Sequence, residues 1–159
     1  SQHAAVKISD ELKDLLLSSS NPLEQTDELN RIVESIKDSQ KTLKILNNNL
    51  DILISKGLDE WVETKLNEII SSSPNDTAIV SEANLMLAQV EIKKGNQAKA
   101  EELLKKSWES LTSSNPKEIE ELVRLVGLNY ARILLQNKNE DGYKEIIQFM
   151  QKNFPQTSK

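Results

Sequence analysis

The sequence predicts an all-α fold, a single domain over residues 1–159 built from antiparallel helical hairpins, with about seven helices. Three observations predict it. Apolar residues recur three and four apart along most of the chain, the spacing of one helix face. Only four glycines and four prolines interrupt 159 residues, which suits long helices. The breakers also recur: SSSNPLE from Ser18, SSSPND from Ser71, SSNPKE from Ser113 and NFPQ from Asn153, with sharp turns between them at Gly57, Gly95 and Asn139. Helix, tight turn, helix and Ser/Pro break thus repeat three times.

Each element follows from its own residues. Over 4–19, Ile8, Leu12, Leu15 and Leu16 are spaced for an N-terminal helix that covers one open end of the fold. The first hairpin, 22–73, opens on Asn21-Pro22-Leu23-Glu24: Asn caps, Pro fits the first helical position, and Glu reaches back to the cap. From Pro22 to Ser55 no break is obvious, and Leu29, Ile32, Ile36, Leu43, Leu46, Leu50 and Leu53 follow a seven-residue pattern with Ser39 in the polar slot. Unbroken, this is a helix of about 50 Å. Three readings stand: one long helix extending past the rest, two helices broken near Asp38 to Lys41, or a coiled-coil dimer seam. Ile45, Ile52 and Ile54 widen the stripe beyond a narrow seam and favour packing within the fold. Trp61, Val62, Leu66 and Ile69 make the face of the following helix, with the stem of Lys65 running along it.

The second hairpin, 75–114, is the most regular. Ala100, Leu103, Leu104, Ser107, Trp108 and Leu111 form one face of its second helix. Its first helix carries two apolar stripes, Ile79, Ala83, Met86 and Val90, then Leu85, Ala88 and Ile92. The third hairpin, 116–155, repeats the start signal as Asn115-Pro116-Lys117-Glu118. Its first helix is again apolar on several sides, with Ile119, Val123, Val126, Tyr130 and Ile133 joined by Leu125, Leu128 and Leu135. Both first helices are expected to be buried between neighbours. Tyr143, Ile146, Ile147, Met150 and Phe154 close the pattern. Glycines at 57 and 95 are placed to take the left-handed conformation that ends a helix.

The stretch 81–114 resembles a tetratricopeptide repeat. Leu87-Ala88 matches that family's large-then-small pair, Gly95 its turn, Ala100 its small residue early in the second helix, Leu104 and Ser107 the positions that follow, and Pro116 its closing proline, a few residues late. The neighbours match in outline through Gly57, Pro74 and Ala131, with Val62 and Tyr143 where the family has small residues. The resemblance implies a short right-handed superhelix of hairpins, an α-solenoid, with a concave surface that binds a peptide or helix of another protein. It also implies that the first helix of each pair lines that surface. In this chain the register points to Lys44, Asn47 and Asp51, then Glu82, Leu85, Gln89 and Lys93, then Leu125, Asn129, Arg132 and Gln136. Lys44, Lys93 and Arg132 would meet an acidic segment; Asn47, Gln89 and Asn129 would hold an extended backbone. The family's Lys/Asn/Arg carboxylate clamp is not matched in full, so a co-chaperone role is not favoured.

Composition narrows the function classes. A net charge of −5 without basic runs disfavours nucleic acid as partner. No apolar run approaches a membrane span. The opening SQHAAVKISDELK has acidic residues and no apolar core, unlike a secretory signal. With no cysteine, thiol catalysis and Cys-based zinc are out, and a reducing, intracellular compartment is expected: the cytoplasm, with nucleus or organelle lumen left open. His3 is the sole histidine. The pairs Glu101-Glu102, Glu120-Glu121 and Glu140-Asp141 are adjacent residues that do not share a helix face. No phosphate-loop, dinucleotide or nucleophile-elbow motif occurs. The expectation is a non-enzymatic adaptor or complex subunit with no cofactor and no metal. Trp61 and Trp108 read as core residues that could also anchor a partner. The alternative is an assembly protein that forms a homodimer through the 22–55 helix.

Overall fold

The computed structural model describes residues 2–18, 26–113 and 115–155, with side chains from Lys7 onward. The described residues form helices and no strand: α1 (Gln2–Ser18), α2 (Thr26–Glu34), α3 (Ser39–Asn48), α4 (Leu50–Ser55), α5 (Asp59–Ser72), α6 (Thr77–Lys93), α7 (Gln97–Thr112), α8 (Glu120–Gln136) and α9 (Glu140–Asn153). These nine, among the described residues, replace the expected seven because the stretch counted as one helix is divided in three, once before Asp38, as the reading with a break near Asp38 to Lys41 has it, and again at Asn49. The start signal at Asn21 to Glu24 and the side chain of His3 lie outside the described residues. The chain gathers into two compact units, 1–69 and 70–159.

In the first unit the divisions fall at polar residues that offer the backbone other partners. The helix ends after Glu34, and α3 restarts with Asp38 as its cap; the Asp38 carboxylate accepts from the amides of Gln40 at 2.9 Å and Lys41 at 3.3 Å. At Asn49 the side-chain amide donates to the Ile45 carbonyl at 2.9 Å and the Ser9 hydroxyl at 3.0 Å, tying α1 to the end of α3. The seven-residue stripe is spent inside the chain: Leu29, Ile32, Leu43, Leu46, Leu50 and Leu53 are buried and Ile36 is half-buried. α1 packs against α2, α3 and α4. α5 lies beside α2, with the Trp61 indole donating to Asn30 at 2.9 Å and the Lys65 ammonium 3.6 Å from Glu34. The stem of Lys65 is buried and its ammonium sits 5.8 Å from the Trp61 ring centre.

In the second unit α6 packs on α7, α7 on α8 and α8 on α9, and α6 also meets α8. Successive helices are antiparallel. Ser107 late in α7 donates to the Ser81 carbonyl early in α6 at 3.1 Å, Asn137 after α8 donates to Glu101 early in α7 at 2.7 Å, and Arg124 early in α8 donates to the carbonyl of Phe154 after α9 at 3.3 Å. Ala88, Ala100 and Leu104 are fully buried and share one core with Trp108, Val123, Val126, Tyr130, Ile146 and Met150. Trp108 meets Phe149 edge-on at 5.1 Å and Tyr130 at 6.5 Å. Gly57 and Gly95 take positive φ, +78° and +86°, and the third turn puts Lys138 there at +63°.

Two expectations are corrected. Asn115 does accept the Lys117 amide, at 3.3 Å, but it closes a turn, and α8 begins only at Glu120, without a side-chain cap. And α8 is not buried all round. Residues on all sides of α6 are buried, as its stripes predict, whereas Leu125, Leu128 and Leu135 on α8 are 47%, 54% and 46% exposed. The helices packed on α8 cover the face carrying Val123, Val126, Tyr130 and Ile133, and its other apolar stripe stays open.

Candidate docking surface

The open face of α8 is a consequence of spacing. At 100° per residue, Val123, Val126, Gly127, Tyr130, Ala131, Ile133 and Leu134 fall on one side and are buried. Glu121, Leu125, Leu128, Arg132 and Leu135 fall on the opposite side and are exposed. Leu125, Leu128 and Leu135 thus stand in line on one helix face rather than scattered singly. The side chains of Glu121 and Arg132 make no hydrogen bond or ion pair with another described residue.

Beside this face, α8 and the end of α9 border an open, mainly apolar cleft of about 510 Å³ lined by Arg124, Leu128, Ile147, Met150, Gln151, Phe154 and Pro155. Leu128 belongs to both the cleft and the face. Arg124 forms the polar rim: it pairs with Glu120 at 2.8 Å, and its guanidinium lies 5.1 Å from the Phe154 ring centre. The volume lies in the range of small-ligand or side-chain anchor sites.

The residues assigned from the register are placed as follows. On α8, Leu125, Arg132 and Gln136 are exposed and Asn129 is half-buried, all on the open side. The Asn129 amide is already engaged, donating to the Leu125 carbonyl one turn back at 2.8 Å. On α6, Glu82 and Gln89 are half-buried and Lys93 is exposed, along the least covered stripe of that helix, while Leu85 is buried in the core shared with α8. Lys44 and Asn47 are exposed on α3, and Asp51 is exposed on α4 beyond the Asn49 break. These three belong to the first unit and the others to the second. Sequence reasoning missed the cleft and the exposure of Leu128 and Leu135. The signal was present, as apolar residues on two sides of one helix, but it was read as burial.

Electrostatics separate the titratable groups nearby. Burial pushes the Glu82 carboxyl above its ordinary range. Burial, then the nearby carboxylates of Glu101, Glu109 and Glu145, raise the Tyr130 phenol, which therefore stays protonated at neutral pH. Trp108 is buried in the core, and Trp61 is half-buried and held by Asn30. Among the described residues no group of three or more His, Cys, Asp or Glu is placed to hold a metal ion, and no helix is long and apolar enough to cross a membrane. No family model, curated protein or solved structure matches the chain.

Proposed function

We propose that this chain is a non-enzymatic protein–protein interaction module, an adaptor or complex subunit. On this reading it is a tetratricopeptide-like stack of hairpins that receives a peptide or helix of an intracellular partner on a concave helical surface. One observation carries the reading: the side of α6 and of α8 that the repeat register assigns to the groove is the least covered side of both helices, with Glu82, Gln89 and Lys93 on one and Leu125, Asn129, Arg132 and Gln136 on the other. The full burial of Ala88 and Ala100, where the repeat needs small residues for close approach, supports it.

The test is affinity capture from native extract. The bait is the chain itself, beside a Glu82→Lys/Lys93→Glu variant that alters only the α6 stripe and retains its helicity by circular dichroism. A specific partner recovered on the first bait and lost on the second is the expected result. An identical protein set on both baits overturns the assignment of the surface. A cofactor or turnover activity that copurifies with the chain overturns the non-enzymatic reading.

A further inference from the structure

We infer that the open face of α8 is a self-complementary seam, and that a second copy of this chain docks on it with the two α8 helices antiparallel. The inference is independent of the adaptor reading and fails separately from it. Glu121, Leu125, Leu128, Arg132 and Leu135 follow one another in steps of four, three, four and three residues, the alternation that keeps a stripe facing a neighbouring helix. All five are exposed, and past its first turn the backbone of α8 is hydrogen-bonded within its own helix. The occupant such a face suits is therefore another helix, whose backbone is satisfied too, and not an added strand.

Charge chooses which helix. A leucine seam that closed over Arg132 and Glu121 without partners would leave two buried, uncompensated charges, a strongly unfavourable outcome. A parallel pair of copies would set Arg132 against Arg132. An antiparallel pair about a two-fold axis has a register that solves both problems. Leu125 of each copy faces Leu128 of the other, and Arg132 of each faces Glu121 of the other. Shifting this register by one heptad half-step in either direction returns Arg132 to face leucine, or nothing. The contact runs along about 17 Å of α8, two leucine layers flanked by two ion pairs. So small a contact makes a weak dimer. Leu125 and Arg132 also belong to the surface assigned to a partner, so self-association and partner binding compete for α8 and leave the α6 stripe free.

The experiment is sedimentation velocity over a concentration series with the whole chain and four samples: the wild type, Arg132→Glu, Glu121→Arg, and an equimolar mixture of the two variants. Both substitutions are at exposed positions, and circular dichroism checks the fold. The wild type is expected to dimerise reversibly. Each single charge reversal should weaken the dimer by about tenfold or more, because both ion pairs become like-charge contacts. The mixture should restore a heterodimer, since every Arg then faces a Glu again. A wild type that stays monomeric at its highest soluble concentration overturns the inference. So does a dimer that neither variant weakens, or a mixture that does not recover.

Discussion

At the scale of single residues, Gly127 and Glu82 decide more than the sequence pattern indicates. A Cβ at Gly127 would lie 2.7 Å from the Trp108 ring and 2.8 Å from the Met150 sulfur, so the α8 backbone reaches the core only because that atom is missing. Alanine there gains about 1 kcal/mol of helix propensity. Overpacking a rigid indole costs about 1–3 kcal/mol and outweighs it. Gly127→Ala is therefore expected to lower stability by about 1 kcal/mol in urea denaturation, and a stabilised variant would refute the close contact. Glu82 gives a pH-dependent result. Its folded-state pKa is raised, so the folded chain binds the proton more tightly than the unfolded one. Its contribution to stability is fullest below the ordinary glutamate range and is lost as pH rises through the folded-state value. Glu82→Gln should thus raise the urea midpoint at pH 7, and the gain should vanish below about pH 4. An equal gain at both pH values would mean that the carboxylate is not the cause.

At the scale of elements, the notable result is where helices stop. The stretch from Thr26 to Ser55 has the apolar period of one helix, yet it is three, because Asp38 and Asn49 satisfy backbone groups with their side chains. Asp38 caps α3 with two amide hydrogen bonds. Asp38→Ala is expected to lose about 1 kcal/mol in urea denaturation, while Asp38→Asn, which keeps an accepting oxygen, should lie close to the wild type. Equal losses for the two would remove the cap as the explanation. The division also bears on assembly. A coiled-coil dimer through 22–55 needs its apolar stripe facing outward, and Leu29, Leu43, Leu46 and Leu53 are fully buried within the chain. Apart from Leu17 on α1, the leucines that face outward among the described residues are on α8, where Leu128 and Leu135 were expected to be buried.

At the scale of the whole molecule, the second unit carries a buried apolar cluster made from its own residues. That cluster draws its members from Leu85 to Phe154, and hydrogen bonds link α6 to α7, α7 to the residue after α8, and α8 to the residue after α9. A fragment covering 74–155 is accordingly expected to keep its helicity and to unfold cooperatively in urea. A broad, non-cooperative loss of signal would show that its core depends on the first unit.

The sequence by itself determined that the chain is helical, where most helices lie, and which turns join α6 to α7 and α8 to α9. Those properties are local: a 3.6-residue period, a glycine such as Gly95 past a helix end, and a polar cap such as Asp76, whose carboxylate accepts from Ile79 at 3.1 Å. The sequence also marked a face of α8 as a candidate surface through Leu125, Asn129, Arg132 and Gln136. It offered a break near Asp38 to Lys41 as one of three readings, but it did not mark the Leu128–Phe154 cleft, the break at Asn49, or the delayed start of α8. Only the tertiary structure decided those. A second apolar stripe on a helix has the same composition whether a neighbour covers it or leaves it open, and the difference lies in which distant helices pack there. For α8 the covered side is the one that Trp108 and Met150 reach, and the leucine stripe opposite stays exposed.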